Sequence, residues 1–405
     1  MSCQSLSQQA NDPKKTESFI KALHGLTDPR DNRGKKIDLA FTIGAAVLAI
    51  MSGRFKLSSI HRYMGSKAGW LREVTKKPKA RLVSRAHLPR LLAMVPLDEL
   101  NDIVEAHFGV HLAVNDQDEW AAIDSKTLRG TTSANDKQGE RTLLAVAHGK
   151  RNTLAQRPMS GPKSSEITAA RDLLRETGLE KTKITLDALH MNPTTTAQIN
   201  LAGGTYIIQV KDNQEALRKQ CERLAAEDVP LGMITTAEKG HGRRETRNGA
   251  FFDLEKIEFP ERWLDSGLRT LIVMERQTIV TAQHKVSSEV SYYVSNQQVS
   301  LQQFDIQNEL FTAIRRHWGV ESENWIRDVT FNEDHVKTKY ADQAHVMACL
   351  RTFVVQLFRK ANLGNFQAAI ETFCDCPDKF EAFLCQTGYF NSPDFLCWKI
   401  RQIDI

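Results

Sequence analysis

From Phe19 to Val110 apolar residues recur mostly at helical spacing. Leu39–Met51 is apolar almost throughout; Asp38 stands before it where an N-cap belongs, and Gly53 follows where a helix ends. Phe55–Leu71 and Leu88–Phe108 predict further helices, the last with a turn near Pro96. At Trp120 the pattern changes. Ala121–Asp124, Thr142–Ala147, Lys183–Asp187 and Thr205–Val210 are short apolar runs of strand length, and helical stretches at Ser165–Glu176 and Thr194–Leu201 fall between them. Strands alternating with helices predict an α/β core. Residues 232 to about 300 turn β-rich, with Leu271–Met274 and Val290–Val294 the clearest strands, and Asn308–Lys360 returns to long helices. The expected division is therefore a polar, disordered 1–17, a helical domain over 18–115, an α/β domain over 116–360 with a β-rich insertion at about 232–300, and a helical tail over 361–405.

Composition narrows the class without naming a function. The hydrophobic fraction of 41% and charged fraction of 25% are ordinary for a globular protein. The longest apolar run, Leu39–Met51, is far short of a membrane span, so no membrane partner is expected. The polar opening carries no secretory signal, which predicts a cytoplasmic protein. Seven scattered cysteines do not form a disulfide framework. Cys374, Cys376, Cys385 and Cys397 lack the paired knuckles of a zinc site and read as buried thiols.

Charge is distributed unevenly. Residues 1–100 hold 18 Lys+Arg and 8 Asp+Glu, whereas the remainder holds 36 and 41. Between Arg54 and Arg90 there are eleven basic residues and one acid, Glu73. Such a segment suits a phosphate backbone through counterion release, although a solvated helical face has the same composition.

Two aspartates, Asp124 and Asp187, each close a strand-like run. Functional groups gather at the carboxyl ends of strands in open α/β sheets, and carboxylates brought together there repel unless a cation lies between them. Oxygen ligands of this kind suit Mg²⁺. A strand-end Asp also forms turns for purely local reasons, so neither residue is diagnostic alone. A third carboxylate comes from RRHWGVESENWIRDVTFNED (Arg315–Asp334), where helical geometry puts His317, Glu321 and Trp325 four residues apart on one face. Glu323 points about 200° away around such a helix, which favours Glu321. Trp318 and Trp325 have two readings, a wedge or stack on a flipped base and, more common at helical spacing, a place in the core.

Five segments carry a resemblance, in order: AIDSKTLRG (Ala122–Gly130), KSSEI (Lys163–Ile167), TLDALHMNPTTTAQI (Thr185–Ile199), KGHGRRETR (Lys239–Arg247) and RRHWGVE (Arg315–Glu321). Together they resemble bacterial insertion-sequence transposases of the H-repeat-associated kind, which have an Asp-Asp-Glu site. DVTFNED (Asp328–Asp334) continues the likeness, and FIKALHGLTDPRDNRGKKIDL resembles the N-terminal helical domain of such proteins. The resemblance implies a ribonuclease H-like core, with the β-rich stretch as an insertion and the N-terminal domain as a DNA-binding unit. It implies that Asp124, Asp187 and Glu321 are the catalytic and metal-binding residues, holding Mg²⁺ or Mn²⁺ as two ions.

The implied reaction cuts a phosphodiester at the element's end and transfers the freed 3′-hydroxyl to target DNA, chiefly by positioning and charge stabilisation. The implied partners are double-stranded DNA, in the form of terminal inverted repeats and target, and a second copy of the chain on that DNA; the protein would then be nucleoid-associated. Lys126, Arg129, His241, Arg243, Arg244, Arg247, Arg315, Arg316 and His317 are the expected DNA contacts, with a charged hairpin edge as the other reading of KGHGRRETR. Two alternatives stay open: a transposase-derived metal-dependent nuclease, and a DNA-binding protein whose catalytic site has decayed. The spacing from Glu321 to Trp325, one residue shorter than the family's, keeps the second in view. So do Ile314, His317 and Asp328, which stand where related families place Tyr, Arg and Lys.

Overall fold

The computed structural model describes residues 19–108, 119–132, 139–159, 164–240, 242–280, 285–338 and 340–388. The disorder expected of residues 1–17 lies outside them. Two compact units result: Met1–His107 together with Thr330–Ile405, and Phe108–Val329.

The first unit is helical. In the helix Leu39–Met51 every residue is buried, as expected of a helix apolar on all sides. Asp38 caps it, its carboxylate accepting from the Phe41 amide at 2.7 Å, and Gly53 adopts φ +75° just beyond its end. The expected helix over Phe55–Leu71 is two, Leu57–Ser66 and Ala68–Val74, broken at Lys67. Leu88–Leu92 and Leu97–Phe108 flank the turn at Pro96. The helix Ala341–Lys360, buried from Gln343 to Phe358, belongs to this unit; Phe353 stacks on Phe19 with ring centroids 3.8 Å apart. Phe366–Asp375 and Pro377–Thr387 complete it. Packing thus groups Thr330–Ile405 with the N-terminal helices. Among the described cysteines Cys221 and Cys349 are buried, but Cys374 and Cys376 are exposed, contrary to the expectation of buried thiols. They flank the junction of two amphipathic helices, where only one face is covered.

The second unit is mixed α/β, built on one nine-stranded sheet of order β3-β2-β1-β4-β5-β9-β8-β7-β6. The strands are β1 Trp120–Leu128, β2 Glu140–Ala147, β3 Thr153–Met159, β4 Lys183–Leu186, β5 Thr205–Val210, β6 Gly232–Gly240, β7 Arg243–Asp253, β8 Thr270–Val280 and β9 Lys285–Ser295. β1 runs antiparallel to β2 and parallel to β4, and β4 parallel to β5. The β-rich stretch continues this sheet, because β9 pairs with β5. Among the described residues no helix is long and apolar enough to cross a membrane.

Strand alternation assigns the two faces. Ala121, Ile123, Ile184 and Leu186 join a core with Ala170, Leu174, Ile199 and Leu217 from the helices Ser164–Thr177, Pro193–Leu201 and Glu215–Glu227. On the other face, Trp120, Ile207, Phe251 and Ile272 pack under the helix Phe304–His317, and Ala122, Leu144 and Val146 pack under Val320 of the helix Gly319–Val329. Gly249 of β7 makes the first of these contacts possible. A Cβ there would stand 2.6 Å from the Phe311 ring.

Candidate active site

Ile123 opposite Leu186 is the last parallel rung between β1 and β4. Asp124 and Asp187 each follow directly on that rung. Adjacent strands are about 4.8 Å apart, so the chain positions of the two aspartates are neighbours across the sheet. The strand expected to end at Asp124 continues to Leu128, but beyond Ile123 it pairs only with β2. Asp124 therefore stands where the parallel ladder opens.

By alternation Asp124 faces the side covered by Gly319–Val329. Its Oδ2 accepts from Asn324 Nδ2 at 3.3 Å and its Oδ1 from the Ser125 amide at 2.8 Å. The Asp187 carboxylate accepts from the Leu189 amide at 3.0 Å and lies 3.8 Å from His190 Nε2. Glu321 is in the first turn of its helix, where the dipole favours a carboxylate.

Burial above all, opposed by the bond from the Ser125 amide and reinforced by Asp187, Glu166 and Glu321, brings the Asp124 carboxyl up to about 7. Burial also raises Glu321. Among the described residues no Lys or Arg forms an ion pair with Asp124, Asp187 or Glu321. Glu166 is buried and bonded to Arg141 Nη1 at 3.2 Å. The three acids are thus within electrostatic reach, and their charge is not balanced by a neighbouring cation. Among the described residues, however, no three His, Cys, Asp or Glu side chains are close enough to hold one ion. The donor chemistry still fits a hard cation, because Mg²⁺ commonly binds one or two carboxylates and keeps several waters.

A hydroxyl ties the helix Phe304–His317 to the strand that carries Asp187. Thr185 Oγ1 lies 2.9 Å from His317 Nδ1 and 2.9 Å from His148 Nε2. Burial holds both imidazoles neutral, His148 down to about 3 and His317 down to about 4. The single hydroxyl proton goes to one acceptor, a ring nitrogen or the Ala121 carbonyl at 3.4 Å, so at least one ring donates to Thr185. The same helix is fixed further along by Glu309, which accepts from Trp120 Nε1 at 2.7 Å and pairs with Lys183 Nζ at 2.7 Å.

The expected continuous helix from Arg315 is two helices that meet at Trp318. Trp318 and Trp325 are 55% and 61% exposed, which corrects their expected place in the core. Helical spacing set them on a shared face, but that face is the outer one. Glu323 and Arg327, one turn apart, are both fully buried instead, and Arg327 Nη2 donates to Thr153 Oγ1 at 3.0 Å.

The expected DNA contacts divide. Arg243, Arg247, Arg315 and Arg316 line one cavity of about 920 Å³, with Arg151, Lys211 and Arg276, which sequence reasoning missed. Of its seven cations, Arg243 and Arg247 pair with Glu245 and Arg276 with Glu289, and His148, Trp318 and Ser322 also line it. Arg244 is exposed on β7 outside this lining, and Arg129 is exposed after β1. Lys126 is placed differently: it is buried and pairs with Asp328 Oδ1 at 2.5 Å, holding β1 to the helix Gly319–Val329. Its ammonium is thus engaged in the interior, where a DNA contact was expected. Strand alternation puts it on the Asp124 face, under that helix. KGHGRRETR is the β6–β7 hairpin, and His241 at its tip lies outside the described residues. His148, Glu166, Thr185 and Asn324 were also missed as site neighbours. KSSEI contains Glu166, but only the register brings it near Asp124.

The sequence matches the family described as Transposase DDE domain over residues 116–357 and the one described as DDE_Tnp_1-associated over residues 20–108. Among curated proteins of Escherichia coli (strain K12), Putative protein YbfL is 30% identical over 256 residues, 60% of this chain and 64% of that protein. The H repeat-associated putative transposase YhhI is 29% identical over 256 residues, 60% of this chain and 65% of that protein. Putative transposase YncI of Escherichia coli O157:H7 is 28% identical over 255 residues, 60% of this chain and 62% of that protein. The chain spans less than two thirds of the length of each. With a single family matched across more than half its residues, the chain belongs to the DDE-domain transposases and is similar to their H repeat-associated members.

Proposed function

We propose that the unit Phe108–Val329 has a ribonuclease H-like core and is the catalytic part of a DNA transposase, with Asp124, Asp187 and Glu321 as its acidic triad. The sheet order β3-β2-β1-β4-β5, antiparallel and then parallel, supports the fold reading. The single observation that carries the function is the place of Asp124 and Asp187 beside one parallel rung, with no Lys or Arg paired to either of them or to Glu321 among the described residues.

These three residues would hold Mg²⁺ or Mn²⁺, one or two ions. When bound, the metal supplies Lewis-acid polarisation of the phosphodiester and activation of the attacking oxygen. The chain's own residues do the rest. Arg243, Arg247, Arg315 and Arg316 bind the phosphates of a strand in the cationic cavity, joined by Arg151, Lys211 and Arg276, while Arg129 and Arg244 reach duplex nearby. His317, neutral and tied to Thr185, orients the end of its helix and offers a ring nitrogen beside Asp187 without adding charge. The substrates on this reading are the ends of an insertion sequence and target DNA, handled by two copies of the chain at the nucleoid.

The test is a supercoiled or linear substrate bearing the element's terminal repeats, incubated with Mg²⁺ or Mn²⁺. Joined donor–target products support a transposase. Cutting without joining identifies a nuclease. A second reading, DNA binding without chemistry, is favoured by the lack of any three-residue ion-holding group among the described residues; a gel shift with no metal-dependent cutting would establish it.

A further inference from the structure

The helical unit contains a cavity of about 440 Å³ between the helices Leu57–Ser66 and Ala68–Val74 on one side and Phe366–Asp375 and Pro377–Thr387 on the other. Ser59, Arg62 and Ser66 recur at three- and four-residue spacing, so one helix face supplies them to the cavity. Arg54 and Lys67 join them from the two ends of that helix.

Three properties limit what this cavity can take. First, Arg54, Arg62 and Lys67 are exposed, and among the described residues none of them forms an ion pair. The nearest bond is from Arg54 Nη2 to the thiol of Cys374 at 3.3 Å, and among the described residues Glu381 is the one acid in the lining against the three cations. Second, an aromatic cluster backs the cavity: half-buried Trp70 lies 5.8 Å from Phe380 between centroids, tilted by 40°, and Phe380 is stacked on Phe373 at 5.1 Å, both phenylalanines buried. Third, Glu381 sits beside Trp70 within the lining, and burial raises its carboxyl.

Guanidinium groups prefer phosphate, an aromatic face stacks with nucleobases whatever their sequence, and the Glu381 carboxyl beside Trp70 can bond a base edge. We propose that this cavity binds a single nucleotide, with its phosphate on Arg54, Arg62 and Lys67 and its base against the Trp70 ring. A volume of about 440 Å³ holds one nucleotide and excludes a duplex. The nucleotide has two sources: a free mononucleotide, or one base unstacked from a DNA strand. The second source rests on the DNA reading above.

The test uses the full chain. Calorimetry follows titration with dAMP and with inorganic phosphate, and 2-aminopurine fluorescence follows a single-stranded oligonucleotide carrying that base. Arg62→Ala removes an exposed charge, and Trp70→Phe keeps a ring at that position; circular dichroism verifies that both fold. Saturable dAMP binding that Arg62→Ala weakens about tenfold and Trp70→Phe weakens less, with phosphate binding unchanged in Trp70→Phe, assigns the free nucleotide. Fluorescence quenching by the oligonucleotide without dAMP binding, lost in both variants, assigns the unstacked base. Absence of both signals, or signals that Arg62→Ala leaves unchanged, overturns the proposal. Failure of the transposase reading is separable, since it would show as absent strand joining with nucleotide binding intact.

Discussion

Thr185 Oγ1, two residues before Asp187, stands 2.9 Å from His317 Nδ1, so a hydroxyl on β4 holds the end of the helix Phe304–His317. Because His148 shares the same hydroxyl at 2.9 Å, Thr185→Val leaves two buried imidazoles short of a partner. Leaving buried polar groups unmade costs about 1–3 kcal/mol. The expected result is a folded protein destabilised by about that amount in urea, with strand cutting reduced more than DNA affinity. Thr185→Ser, which retains the hydroxyl, restores cutting if the bond is what matters.

Asp124 gives the metal-free protein a defined pH dependence. Its folded value of about 7 lies above the ordinary 3.8, so the folded state binds the proton more tightly than the unfolded state does. The stabilisation is fully present below about pH 4 and is lost as pH rises through about 7. Asp124→Asn removes this loss. In chelator, the variant should melt higher than the parent at pH 8, and the gap should close toward pH 4. His148 and His317 are depressed instead and act in the opposite sense, weakening both proteins alike as pH falls below about 6.5. Equal melting temperatures at pH 8 would show that Asp124 is not held in a charge-unfavourable place.

Lys126 and Arg316 have opposite expected signatures. Lys126 is buried against Asp328, and removing one partner of a buried pair leaves the other poorly compensated. Lys126→Ala should therefore lower stability by about 2–4 kcal/mol; Asp328 is partly solvated, which keeps the loss below the buried-pair extreme. Arg316 is exposed in the cationic cavity. Arg316→Ala should leave the melting temperature unchanged and reduce the slope of log affinity against log salt by about 0.9. Fluorescence anisotropy across a salt series reads the second effect; an unchanged slope would remove Arg316 from the phosphate track.

Elements with strong local signals were legible in the sequence. Leu39–Met51 has the expected bounds because a cap, an unbroken apolar run and a glycine mark it, and Thr205–Val210 is a strand over the expected residues. β3 was not anticipated, because Thr153–Met159 contains Arg157 and Pro158, which weaken a strand pattern. The aspartates were visible as acids closing apolar runs. Their neighbours were not, since His148, Glu166 and Asn324 reach the site only through strand register and helix docking. Trp318, Trp325 and Lys126 fell on the wrong side for a related reason: periodicity groups residues on a face but does not say which face is covered.

The central claim is that a divalent-ion site depends on Asp124, Asp187 and Glu321, although the three do not form a ready-made cage. Titration of Mn²⁺ into the protein, with free ion read by electron paramagnetic resonance, tests it most directly on the parent, Asp124→Asn, Asp187→Asn and Glu321→Gln. The account predicts saturable binding by the parent, its loss in both aspartate variants and marked weakening in Glu321→Gln. Binding that Asp187→Asn leaves undiminished would contradict it.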